Sequence, residues 1–202
     1  MLEGRGATLI NDFLGSAHIF ALAVARALEE ELWREAAGRQ LTLTQMRLLK
    51  LVSHPGGAHT IGDVATFLTV SNAAASKAVD KLVRLMMVRR REGESDRRAI
   101  HLSVTGPGQR LLSAYDAALQ SKLVEIFGQL GTDEIEPVVQ LLDRLSYSMM
   151  SSRLTSTEEI CVQCGIYFRE KCLLRQRSAR KCLYLRGRAP TPEDTGEASS
   201  GK

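Results

Sequence analysis

From Thr8 to Ala37 the apolar residues Ile10, Phe13, Leu14, Ala17, Phe20, Ala21, Val24, Leu28 and Leu32 recur at helical spacing. That pattern predicts one long helix, with Gly38 as its stop. A second helix is predicted over Thr44 to Ser53, and His54-Pro55-Gly56-Gly57 breaks it. Thr60 with Asp63 three residues on has the form of a capping box, opening a short helix from Ile61 to Leu68. Thr69-Val70 leaves room only for a tight turn before Ser71 caps the next helix, Asn72 to about Leu85. Two short helices joined by so short a turn make a helix-turn-helix.

The period then changes. Val88 to Arg91 is followed by the polar tip Glu92 to Asp96. Beyond it Ile100, Leu102 and Val104 alternate with His101 and Ser103, the pattern of a half-buried strand. The pair predicts a β-hairpin, or wing, with a basic tip. Thr105 caps a further helix that tolerates Pro107 in its first turn and runs to about Phe127. Thr132 is expected to cap a last helix carrying Val138, Val139, Leu141, Leu142, Leu145 and Met149. Ser151 to Thr157 looks like a linker, and from Ala189 onward no large apolar residue occurs, so that tail is expected to be disordered. The fold predicted is mainly α: a helical segment at 1–40, a winged helix-turn-helix at 41–104, helices at 105–157, a cysteine-bearing module at 158–188 and a tail at 189–202.

Composition narrows the class. The 202 residues are 44% hydrophobic and 25% charged, the balance of a folded soluble chain. A net charge of +4 suits a polyanionic partner, provided the charge is concentrated in one place. Glu3 and Asp12 interrupt any signal-like apolar run, and no unbroken apolar stretch approaches the about 20 residues that span a bilayer, so no membrane span is expected. A cytoplasmic protein with reduced thiols and no membrane partner is therefore expected.

The charge is concentrated around the predicted recognition helix. Ser71, Asn72, Ala73, Ala74, Ala75, Ser76 and Lys77 open it with small and polar groups, which let a helix sink into the major groove of double-stranded DNA. Asn can bond adenine, Ser either bases or phosphates, and Lys guanine or phosphate. Lys81 and Arg84 lie where the backbone would pass. The wing carries Arg89, Arg90, Arg91, Arg97 and Arg98, and arginine at such a tip can enter the minor groove. Asp96 fits the role of holding Arg98 by a charge-assisted hydrogen bond. A charge run alone is more often a solvated face, but this one follows directly on a helix-turn-helix.

The stretch from Leu43 to Leu112 resembles the MarR family of regulators. The resemblance is carried most specifically by Asp96-Arg97-Arg98, the apolar alternation after it, and Thr105 with Gly108 opening the next helix. It implies a homodimer built by the long first helix and the last two helices, with two recognition helices on one pseudo-palindromic site. It also implies a wing arginine in the minor groove, carried by Arg98 and Arg97, and repression as the usual outcome. The DNA-binding set is thus Ser71, Asn72, Ala74, Ser76, Lys77, Lys81, Arg97 and Arg98. One departure is visible: the glycine usual after the recognition helix is replaced by Met86-Met87. Relatives often bind small aromatic effectors. His18, Trp33, His54 and His59 are candidates to line such a pocket, though such residues are more often ordinary packing or surface positions.

The four cysteines have no place in that resemblance. Cys161, Cys164, Cys172 and Cys182 follow the spacing C-x2-C-x7-C-x9-C, a complete four-ligand set in one short segment. Arg169, Lys171, Arg175, Arg177, Arg180, Lys181, Arg186 and Arg188 surround them, which favours thiolates and offsets a negative site. Cys161-Val-Gln-Cys164-Gly165 resembles a zinc knuckle. The uneven spacing and the shielding Ile166, Tyr167, Phe168, Leu173 and Leu174 favour an iron–sulfur cluster of the 4Fe–4S kind. A thiol–disulfide switch, and a zinc staple that merely folds the segment, stay open. No acid/base pair, phosphate loop or nucleophile accompanies the cysteines, so an enzyme is not expected. The sequence therefore predicts a dimeric DNA-binding regulator whose cysteine module senses redox state, oxygen or iron. The alternative is a similar regulator that answers to a small aromatic ligand and carries a structural zinc.

Overall fold

The computed structural model describes residues 5–38, 41–54, 59–92, 100–150, 160–162, 164–169, 172–177 and 181–185. They form α1 (Arg5–Ala37), α2 (Leu43–Ser53), α3 (Ile61–Leu68), α4 (Asn72–Arg84), β1 (Val88–Glu92), β2 (Ile100–Val104), α5 (Gly106–Phe127), α6 (Thr132–Met150), β3 (Ile160–Cys161), α7 (Leu173–Arg177) and β4 (Lys181–Cys182), with a 3-10 turn at Leu183–Leu185. The expected tip residues Asp96, Arg97 and Arg98, the expected linker and the tail lie outside the described residues. The chain divides into two compact units, Met1–Met46 with Arg110–Gly128, and Arg47–Gln109 with Gln129–Lys202.

In the first unit α1 ends at Gly38, whose φ of +59° only glycine adopts freely. Its stretch Val24–Glu31 is wound as a π-helix, a rare form that loosens the carbonyl ladder. The Tyr115 hydroxyl donates to the Leu28 carbonyl of that stretch at 2.9 Å. Trp33 meets the Tyr115 ring edge-on at 5.9 Å and donates its indole N–H to the Leu41 carbonyl at 3.1 Å. Leu28, Leu32, Trp33, Leu41, Leu112 and Tyr115 are buried.

One expectation about α1 is corrected. An 18-residue stretch of it has a mean hydropathy of 1.4, enough by length and composition to cross a membrane, and none of that stretch is buried in the chain. Gly15, Ser16 and His18 keep the apolar runs of α1 short, so its apolar character lies in the average and not in any run. Arg5, Thr8, Asp12 and Ser16 follow at three- and four-residue spacing along one side of α1, and the exposed Ile19 and Phe20 continue that side.

In the second unit the expected capping box forms. The Asp63 N–H donates to Thr60 Oγ1 at 3.2 Å and the Thr60 N–H to Asp63 Oδ2 at 2.8 Å. Thr69 turns the chain with φ +55°, and Ser71 accepts from the Ala74 N–H at 3.2 Å to start α4. Ala75, Val79 and Leu82 bury one stripe of α4. The helix then stops as a Schellman motif: Met86 N–H donates to Val83 O and Met87 N–H to Leu82 O, both at 2.9 Å. Met86 takes the left-handed place, with φ +55°, so the glycine is replaced without losing the turn.

The hairpin pairs Val88 with Val104, Arg90 with Leu102 and Glu92 with Ile100. The buried His59 extends it, its carbonyl accepting from the Leu102 N–H at 2.8 Å. Gly108 lets α5 approach the strand entrance: a Cβ there would stand 2.3 Å from the Met87 carbonyl oxygen. α6 begins at Thr132 itself, so Thr132 is the first helical residue rather than the expected cap; Glu134 instead accepts from the Gly131 N–H at 2.9 Å.

Candidate nucleic-acid interface and cysteine cavity

The buried stripe of α4 forces its opposite side outward. Ser71, Asn72, Ala74 and Lys77 are exposed there, and Ser76 and Lys81 are partly exposed. Because Ser71 satisfies the first turn, Asn72 and Lys77 project from a capped helix start that carries no bulky side chain. The wing arginines are less free than the sequence suggests. Arg90 donates to Asp80 of α4 at 2.7 Å, and Arg89 to the Ser103 hydroxyl at 3.1 Å. Asp80 thus ties the recognition helix to the hairpin, a role that no local signal marked.

All four cysteines line one cavity of about 260 Å³, together with Asp143, Ser146, Met150, Tyr167, Phe168, Arg169, Leu174 and Arg175. The backbone explains the convergence. β3 and β4 pair in parallel, with Cys161 opposite Cys182. After Cys164 the chain turns through Gly165 at φ +55°, its N–H donating to Val162 O at 3.1 Å, while Tyr167 N–H donates to Cys164 O at 2.9 Å. Cys172 precedes α7 and accepts at its carbonyl from the Gln176 N–H at 3.1 Å. The cysteines are half-buried free thiols. Among the described residues no three His, Cys, Asp or Glu side chains are drawn tightly enough together to hold a single metal ion.

Burial pushes the Cys164 thiol up to about 12, and the nearby charges of Cys182, Cys161 and Cys172 add to it. Burial also raises Cys182, opposed by backbone N–H groups of Tyr184 and Leu185 directed at its sulfur. At Cys164 and Cys182 burial thus outweighs the basic neighbours that were expected to favour thiolates. Arg169 forms a two-pronged pair with Asp143 of α6, at 2.6 and 2.7 Å. Across the module, Phe168 and Tyr184 pack edge-on against His54 at 4.4 and 4.8 Å, and Tyr184 also faces Phe67 at 6.1 Å. The Tyr184 hydroxyl donates to the Gly165 carbonyl.

Residues 41–100 match the family model of the MarR family. No curated protein matches. Among solved structures, the MarR family transcription regulator SP03579 is similar at a TM-score of 0.59 and 18% identity, over 72% of this chain and 96% of that one. RV1404 of Mycobacterium tuberculosis gives 0.56 and 19% over 72% and 95%. FabT of Streptococcus pneumoniae, solved in complex with DNA, gives 0.56 and 20% over 72% and 98%. At such identities the structural likeness is one of fold.

The MarR-like segment holds α2, α3, α4, β1 and the first residue of β2, and with them Ser71, Asn72, Ala74, Ser76, Lys77, Lys81, Arg97 and Arg98. The cysteine cavity lies beyond it. Of the residues named for an effector pocket, His54 is occupied against Phe168 and Tyr184, His59 is buried, Trp33 packs on Tyr115, and His18 is exposed. Asp143, His54 and Tyr184 were not foreseen as parts of the cysteine module.

Proposed function

We propose that this chain is a cytoplasmic, DNA-binding transcriptional regulator of MarR type. It acts as a homodimeric repressor, and its C-terminal cysteines hold an iron–sulfur cluster that reports redox state, oxygen or iron supply. The observation that carries the reading is the presence, in one compact unit, of an exposed recognition-helix face and a cavity lined by all four cysteines. The solved complex of FabT with DNA supports the DNA half through likeness of fold. Ser71, Asn72, Ala74, Ser76 and Lys77 would read the major groove, Lys81 the backbone, and Arg97 and Arg98 the minor groove of each half of a pseudo-palindromic duplex. The dimer is supported by large apolar side chains left exposed on α1 and α6, among them Phe20, Ile135, Val138 and Leu142.

The size of the cavity favours a polynuclear core. A tetrahedral zinc would draw its four sulfurs to within about 3.8 Å of one another, because Zn–S is about 2.3 Å. A 4Fe–4S cluster gives each thiolate its own iron and fills more space. Met150, Phe168 and Leu174 would shield it from water, and Arg169 and Arg175 would offset its negative charge. The zinc alternative rests on the knuckle turn at Gly165; the module would then be a staple and the signal a small aromatic ligand.

The test is an absorption spectrum and elemental analysis of protein purified without oxygen. Broad absorption at about 400 nm with iron and sulfide confirms the cluster. A colourless protein with one zinc per chain selects the staple. In binding assays on duplexes chosen from a random pool, Arg98→Ala should weaken binding on the order of tenfold, and Lys77→Ala should lower the salt slope by about 1. Unchanged affinity and slope in both variants would remove the DNA-contact assignment.

A further inference from the structure

We infer that the cysteine module is a strut between the recognition unit's first helices and α6, and that its aromatic arm transmits cofactor occupancy to the DNA-binding helices. This inference rests on the cofactor reading above and names the regulation of that same site.

The strut has two arms, and each begins at the wall of the cysteine cavity. Arg169 lines the cavity and grips Asp143 of α6 through two short hydrogen bonds. Tyr147, also on α6, donates its hydroxyl to the Arg177 carbonyl at 3.2 Å, and the Arg177 guanidinium lies over the Tyr147 ring at 5.9 Å. On the other arm Phe168 lines the cavity, while Tyr184 follows Cys182 by two residues and is buried. Their rings lie 5.3 Å apart and close on His54, just past the end of α2, and Tyr184 reaches Phe67 of α3. Phe67 is on the helix whose turn leads directly into α4.

The arm is joined to the cavity by bonds as well as by packing. The Tyr184 hydroxyl holds the carbonyl of Gly165, the residue after Cys164, and the Tyr184 backbone N–H points to the sulfur of Cys182. Any shift of Cys164 or Cys182 as they take or release a core must therefore move this ring. Four rings packed together, three of their contacts edge-on and the Phe168–Tyr184 contact tilted at 50°, have few intermediate arrangements, since close-packed groups respond in steps rather than by smooth deformation. The ring stack is thus the element that two states of the module would bias.

The test compares wild type with His54→Ala, Tyr184→Phe and Asp143→Asn, each as the full chain. Each protein is prepared with iron and sulfide reconstituted and, separately, with the metal removed by chelator. Affinity is read on one duplex selected from a random pool. For wild type the two preparations should differ about 5- to 150-fold, the usual range of coupling between sites. In His54→Ala and Tyr184→Phe the iron content and spectrum should be retained, while the affinity ratio falls toward one. Tyr184→Phe loses only a hydroxyl, so it carries the test if His54→Ala fails to fold. A wild-type ratio preserved in both aromatic variants, with iron retained, overturns the relay and leaves the cofactor standing. A wild type that takes up no iron overturns the cofactor reading, and the relay with it. Asp143→Asn distinguishes the arms: an unchanged ratio there assigns the coupling to the aromatic arm alone, and a collapse assigns it to both.

Discussion

At Met86 the chain bends where a Cβ is unwelcome, with φ at +55°. Left-handed backbone costs such a residue about 1–2 kcal/mol, and glycine gives back about half of that gain through its freedom in the unfolded chain. Met86 is 69% exposed, so its side chain contributes little packing. Met86→Gly should therefore stabilise the protein by about 0.5–1 kcal/mol, read as a higher midpoint in urea at an unchanged slope. The missing glycine was visible in the sequence, but that the turn would survive it was not, because the bonds to Val83 and Leu82 come from the backbone. His59 belongs to the same scale. Burial lowers its pKa from the ordinary 6.5, outweighing the raising effect of Asp63, and His54 lowers it slightly more. The folded state then binds fewer protons than the unfolded one, so stability should be full above about pH 6.5 and fall as the pH drops below it. Melting temperatures measured from pH 5 to pH 8 should show that decline, and His59→Phe should flatten it.

Elements were legible where their signals are local. The capping box of α3 and the Ser71 cap of α4 lie within three residues of their partners, so side chain and backbone could be matched on the page. Thr60→Ala should cost about 1 kcal/mol of stability, measured by chemical denaturation. What joins elements was not legible. Asp80 to Arg90, Asp143 to Arg169 and Tyr184 to His54 are pairings that only the folded chain creates, and the π-winding of Val24–Glu31 has no periodic signature. Gly108 shows how tightly two elements can meet. The added methyl of Gly108→Ala would collide with the Met87 carbonyl, so that variant should lose about 1–3 kcal/mol by thermal or urea unfolding.

On the scale of the molecule, the four cysteines were found by spacing alone, yet their shared cavity needed β3 and β4 to pair. The apolar residues of α1 and α6 recur at helical spacing, and their exposure gives those stripes a use. Ile135, Val138, Leu142, Leu145 and Met149 repeat at three and four residues, the seam of a paired helix. If a second copy covers that seam, Val138→Glu with Leu142→Glu should shift the protein from dimer to monomer in sedimentation. DNA affinity should fall with it, since a monomer engages one half-site.

The register of Cys161 opposite Cys182 has a further effect. It makes the first and last thiols of the module neighbours, so whatever joins the four sulfurs closes the intervening chain into a ring of about twenty residues, at an entropic cost on the order of 2–3 kcal/mol. The ring is shut from its C-terminal side. If the module holds the proposed cofactor, a chain cut after residue 180, which keeps three of the four thiols but loses the strand paired with the first of them, should take up as little metal as a variant lacking every cysteine.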